Sequence, residues 1–137
     1  PIIEINKLIE NEITEFKPNK VFTHSEVDSN NDHRLTFRAT IMATRPCNEH
    51  TVNQLLCYEV LSSSEWGYGE TFNPNYFVEV QHNDLNKKWE ALKCYGAEMR
   101  DYPFPRSYEG VINQAKQRGM QSGKNYAEAF KLIREFI

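Results

Sequence analysis

A chain of 137 residues, 39% hydrophobic and 26% charged, has the balance of a folded globular polypeptide and excludes a disordered one. A net charge of −3, with no Lys/Arg cluster longer than the Lys87-Lys88 pair, argues against a nucleic-acid binder. No apolar run approaches the roughly 18–20 residues that a membrane helix needs.

Ile5, Leu8, Ile9, Ile13 and Phe16 fall on one face at helical spacing, and Pro18-Asn19 ends that helix. Lys20-Val21-Phe22-Thr23 then reads as a short buried strand, the second half of an α-then-β unit in a parallel sheet. The polar run His24 to Asn31 is a loop at the carboxyl end of that strand, where open α/β sheets place their sites. Asp32 is the expected cap of a helix running to about Met42 and stopping before Arg45-Pro46. A second strand is expected near 56–62, an aromatic and Ser/Gly-rich loop from Ser62 to Asn75, and a third strand from Tyr76 to Val80. A helix from Asp84 to Met99 buries Leu85, Trp89, Leu92 and Met99. Tyr102-Pro103-Phe104-Pro105 is extended, and Ser107 caps a helix to about Arg118 that Gly119 ends. The tail from Tyr126 to Ile137 suits a helix or a strand.

Cys47, Cys57 and Cys94 are odd in number and form no C-x-x-C pair. That argues against a zinc knuckle or a disulfide framework, and for reduced thiols in a cytoplasmic protein. No secretory signal pattern and no internal linker is visible, so residues 1–137 are expected to form one domain or part of one.

The stretch Thr23 to Arg34 is the densest in chemistry, with His24 and His33 among the carboxylates Glu26, Asp28 and Asp32. Zinc favours His nitrogen and carboxylate oxygen, and catalytic zinc takes three protein ligands plus water. The same residues also suit an ordinary capped helix start with two loop histidines. His50 and His82 sit in polar loops and read as structural.

Thr23-His24 followed by Asp28-x-Asn30-x-Asp32-His33-Arg34 resembles the second metal motif of the LmbE-like, or PIG-L-like, zinc N-deacetylases. The resemblance continues in order through Ala43-Thr44-Arg45-Pro46, Tyr58-Glu59-Val60, Ser62-Ser63-Ser64-Glu65-Trp66 and Phe72-Asn73-Pro74-Asn75-Tyr76-Phe77. It extends to Glu98-Met99-Arg100, Pro105-Arg106-Ser107 and Ala127-Glu128-Ala129-Phe130. It implies an α/β fold with a Rossmann-like, mostly parallel sheet flanked by helices. It implies one zinc ion and removal of an acetyl group from an N-acetylated, GlcNAc-type sugar.

The resemblance makes His33 a zinc ligand and Asp32 the catalytic-site carboxylate beside it, and leaves His24 without a zinc bond. The remaining His and Asp ligands and the base belong to a Pro-His-Pro-Asp-Asp-Glu type motif that is not in these residues. The chain is therefore expected to be the C-terminal part of one such domain. A missing N-terminal segment or a neighbouring protomer, in a homo-oligomer, would complete the site. Asn30 stands where many members have a histidine, and Phe104 replaces another; Asn30 still donates a hydrogen bond.

Arg45, Glu65 and Trp66 are candidate sugar contacts, a flat ring with two polar partners, and Arg106 and Tyr95 are further candidates. Trp66 also suits packing at a strand end, and Arg45 a surface ion pair. Two rival readings use the same residues. A metal phosphoesterase lacks support because no Gly-rich phosphate loop is present. A non-catalytic sugar-binding or interaction subunit would retain the fold without a complete metal site.

Overall fold

The computed structural model describes residues 1–137. Helix α1 (Ile2–Phe16) ends where Lys17 turns into the left-handed region at φ 52°, its N–H returning to the Ile13 carbonyl at 2.8 Å. Pro18 then cannot extend the helix. Strand β1 (Lys20–Thr23) follows, then α2 (Asn31–Ala43), and β2 (Gln54–Tyr58) lies parallel to β1 with Thr23 opposite Cys57. Helix α1 packs on α2, and α2 on β1. Ile13, Ala43 and Val52 form a buried cluster, with Ile9 and Val21 packed against it. Ala39 and Ala43 lie one turn apart on α2 and are fully buried, so their small side chains let neighbouring backbone approach closely.

Of the apolar face expected on α1, Ile13 is buried, while Leu8 is 66% and Phe16 81% exposed. Leu8, Ile9, Glu12, Ile13 and Phe16 instead line an open groove with Pro18 and Val21, about 370 Å³ in volume. Strand β2 is shorter than expected. The backbone N–H groups of Ser63 and Ser64 fold back to the Val60 carbonyl, and Ser62 enters the left-handed region at φ 65°. The chain turns there instead of continuing extended.

The tail resolves as a strand, β4 (Ala127–Glu135), antiparallel to β2, with Tyr58 opposite Phe130 and Gln54 opposite Glu135. Its register slips by one residue beside Leu55 and Leu56. With β3 (Tyr76–Glu79) the sheet order is β1-β2-β4-β3. The sheet is thus mixed and not mostly parallel. The open side of β2 accepts the C-terminal strand, and that pairing decides between the tail's two periodicities. Leu55, Leu56 and Cys57 are consecutive and fully buried, so both faces of β2 are covered, the pattern of an interior strand.

Two compact units are distinguishable, Pro1–Asn73 with Phe130–Ile137, and Pro74–Ala129. In the second, α3 (His82–Lys93) opens with a reciprocal cap between Gln81 and Asp84, and α4 (Tyr108–Ser122) is capped by the Ser107 hydroxyl on the Gly110 N–H at 3.0 Å. Helix α3 stops at Lys93, short of the expected Met99, and Gly96–Glu98 form a separate 3₁₀ turn. Helix α4 runs past Gly119 to Ser122 and ends at Gly123, whose φ of 70° a glycine adopts without cost. Gly110 is required for a different reason: a Cβ there would lie 1.8 Å from the Pro105 carbonyl oxygen. Trp89 meets Tyr108 edge to face, and Lys88 pairs with Glu128 at 2.6 Å.

Candidate functional site

The carboxyl ends of β1 and β2 are adjacent because the two strands are parallel and in register. The loop after β1 and the turn after β2 therefore emerge together. Ser25 starts a tight turn, its carbonyl accepting from the Asp28 N–H at 3.3 Å. That turn sends Asp28 inward, where it is 1% exposed.

Asp28 is the centre of the site. Its Oδ1 accepts from the Asn30 N–H at 2.8 Å and from the Ser63 hydroxyl, and its Oδ2 accepts from the Ser64 hydroxyl at 3.3 Å. His33 Nδ1 lies 3.1 Å from Oδ1. That approach is too oblique for a well-directed hydrogen bond, so the contact is chiefly electrostatic. Burial pushes the Asp28 pKa up, but the Ser63 hydroxyl, the Asn30 N–H and His33 together outweigh it and hold the carboxyl below its usual range. Asp28 is thus a buried, ionised acceptor.

His33 stands in the first turn of α2, its side chain 19% exposed. With Nδ1 facing Asp28, Nε2 is the ring nitrogen left for another group. Metal-bound histidines have this arrangement, one nitrogen on the ion and the other held by a carboxylate. His24, just past β1, lies flat on His33 with ring centroids 3.9 Å apart and planes 5° from parallel. Imidazole lone pairs lie in the ring plane, so two parallel stacked rings do not converge on one ion. Tyr58, at the end of β2, backs His24 at 5.0 Å, its hydroxyl 3.4 Å from His24 Nε2. Burial, then His33, lowers the His24 pKa against the opposing pull of Asp28. Burial raises that of Tyr58 and pushes the Cys57 thiol up to about 12.

No group of three His, Cys, Asp or Glu side chains in the chain is arranged to hold a metal ion. His33 fits the donor chemistry of one metal ligand, and these residues do not complete a centre.

The other expected site residues are placed as follows. Asp32 is exposed and does not cap α2. Asn30 does, its Oδ1 accepting from the Asp32 N–H at 2.8 Å. The carboxylate at His33 is Asp28, five residues earlier in the chain, because a residue adjacent in a helix points about 100° away. Arg45 lies past the far end of α2, folded onto the Met42 carbonyl at 2.9 Å. At about 1.5 Å per residue it stands roughly 18 Å from His33 along that axis. Glu65 closes its own turn, accepting from the N–H groups of Ser62 at 2.7 Å and Ser63 at 3.2 Å. Trp66, in the 3₁₀ turn Ser64–Trp66, is 43% exposed. In the unit Pro74–Ala129, Arg106 pairs with Glu98, and Tyr95 is exposed. His50 contacts the Pro18 carbonyl at 2.8 Å and His82 the Tyr126 ring, so each has a structural partner.

The sequence reading missed Asp28 as the hub, and Ser63, Ser64 and Tyr58 as its surroundings. One signal was present: Asp28-x-Asn30 is an Asx-turn pattern, in which a carboxylate takes the N–H two residues on.

No protein-family model matches the chain, and no curated protein does. Among solved structures, the conserved protein TT1542 from Thermus thermophilus superposes with a TM-score of 0.74 at 18% identity, over 98% of this chain. The match spans 60% of the Thermus chain. At that identity the likeness is one of fold. No helix is long and apolar enough to cross a membrane.

Proposed function

We propose that this chain is the C-terminal portion of a Rossmann-like, LmbE/PIG-L-type zinc-dependent N-deacetylase, acting on an N-acetylated, GlcNAc-type sugar in the cytoplasm. It contributes one metal ligand, His33, to a site that residues outside 1–137 complete. The observation supporting this reading is the Asp28–His33 contact of 3.1 Å at the start of α2, at the carboxyl end of a parallel strand pair. A buried, ionised carboxylate facing Nδ1 favours the Nδ1–H tautomer and leaves the Nε2 lone pair to face a ligand. Zinc, when bound, supplies an activated water and a Lewis acid for the acetyl carbonyl. The chain's own residues hold the imidazole. Asn30 spends its side-chain oxygen on the α2 cap and leaves its NH₂ to donate to substrate. Trp66 offers a partly exposed flat face for a sugar ring. Arg45 is left out by its place at the far end of α2.

The proposed partner is a strand-bearing polypeptide segment outside these residues. Strand β1 is an edge strand, the groove beside it is apolar, and the Thermus fold extends well beyond the matched portion. The second reading is a non-catalytic sugar-binding or interaction subunit that retains the fold without a complete metal site.

The test is metal content and acetate release from N-acetylglucosaminyl substrates, measured on the whole polypeptide that carries this chain. His33→Ala should abolish both, and Asp28→Asn should cost roughly 10–100-fold in metal affinity. His50→Ala and His82→Ala should change neither. Full zinc occupancy and full acetate release after His33→Ala would refute the assignment. A parent protein that binds such sugars without metal or acetate release would establish the second reading.

A further inference from the structure

His24 follows Thr23 at the end of β1, and Tyr58 is the last residue of β2. The register that puts Thr23 opposite Cys57 brings these next residues side by side. The result is a column: Tyr58 against His24 at 5.0 Å, and His24 against His33 at 3.9 Å with nearly parallel planes. Stacking controls a degree of freedom that a carboxylate does not. Asp28 fixes which edge of the His33 ring points inward, but one contact at 3.1 Å still lets the ring rock about the line joining the two atoms. A flat neighbour on the ring face opposes that rocking.

His24 is expensive as mere filling. Its Nδ1 is buried without a hydrogen-bond partner, a desolvation cost that an apolar residue would not carry. Its parallel stack on His33 also keeps it from sharing an ion with that residue. Apart from the Tyr58 hydroxyl 3.4 Å from its Nε2, the flat face against His33 is its main contact in the site.

We propose that His24, backed by Tyr58, is a positioning residue that fixes the ring plane of His33 and thereby the direction in which His33 Nε2 points. This rests on the reading that His33 Nε2 is the functional atom, yet it concerns the ring's order in the metal-free chain and is tested there. The measurement is the imidazole ¹⁵N and ¹³C spectrum and side-chain relaxation of His33 in the whole polypeptide that carries this chain, freed of metal. It is made at about pH 8, above the ordinary histidine range. Backbone amide spectra establish that each variant is folded.

The unaltered chain should show one rigid His33 ring in one tautomer. His24→Phe, which keeps a flat ring, should preserve that rigidity. His24→Leu, which fills the space without one, should at least double the amplitude of ring motion and mix the tautomers. If His24→Leu does not fold, Tyr58→Leu, which removes the support behind His24, is read on the same scale. A His33 ring as rigid and as pure in tautomer in the folded leucine variant as in the unaltered chain overturns the proposal. Loss of rigidity in His24→Phe equal to that in His24→Leu does the same, because a flat face would then not be what matters. Neither outcome depends on zinc, so failure here is distinct from failure of the metal assignment.

Discussion

Asp28 shows what a single buried charge demands of its surroundings. Two serine hydroxyls and one backbone N–H would lose their acceptor if the carboxylate were removed, and the His33 imidazole would lose the charge beside it. Asp28→Ala is expected to destabilise the fold by about 2–4 kcal/mol, measured by urea denaturation at neutral pH. The pH dependence has a definite sign. The folded-state pKa lies below the unfolded value of about 3.9, so the contribution is complete above that value. It is lost as pH falls through the folded pKa. The stability gap between the unaltered chain and Asp28→Asn should therefore be flat near neutrality and narrow below about pH 4. A gap that widens in acid would contradict the ionised state.

The residues point to this loop, but the carboxylate that lies against His33 in the fold is Asp28 and not its chain neighbour Asp32. Asp32 drew attention as the neighbour of His33, and chain neighbours on a helix diverge. The side chain that reaches His33 comes from before the helix cap, across a turn whose geometry depends on Ser63 from another loop. That long-range term is invisible in a local pattern.

At the level of elements, helix and strand positions were legible where periodicity and breakers agreed. Helix α1 before Pro18, α2 after the polar loop, β1, β3 and the Ser107 cap all follow from the residues. Boundaries were less legible where a turn depended on a distant contact. Gly119 has the look of a helix end, yet α4 continues through it. Its missing Cβ instead lets the returning chain at Lys124 come close, where a Cβ would lie 2.6 Å from that residue's carbonyl oxygen.

Gly110 makes the same point with a reversed sign. Intrinsic propensity favours alanine over glycine inside a helix by roughly 1 kcal/mol. Gly110→Ala should nevertheless destabilise α4 by about 2 kcal/mol or more, because Pro105 occupies the space. Thermal unfolding of the variant checks this; an unchanged or raised Tm would show that the Pro105 loop yields freely.

At the scale of the whole molecule, the sequence anticipated an α/β chain and missed the antiparallel closing strand. The tail's residues satisfy two periods, and only the open edge of β2 selects one. The free edge of β1 and the water-exposed Leu8 and Phe16 have a measurable consequence for the isolated chain. It should bind a hydrophobic dye and self-associate with rising concentration. Leu8→Ser combined with Phe16→Ser should reduce both with little change in Tm, since neither side chain is fully packed. A discrete dimer that the double substitution dissociates would make a second copy, and not a further segment, the occupant of that face.

The unit that carries Asp28 and His33 is discontinuous in the chain, Pro1–Asn73 closed by Phe130–Ile137, whereas Pro74–Ala129 is one uninterrupted run. During synthesis from the amino end, β2 is made early but keeps one edge open until residues 130–135 emerge to pair with it. The first part of the protein to be translated is therefore the last whose sheet can close. A nascent chain halted before Phe130 would hold every residue of the Asp28 cluster and still lack the strand that pairs with the second edge of β2.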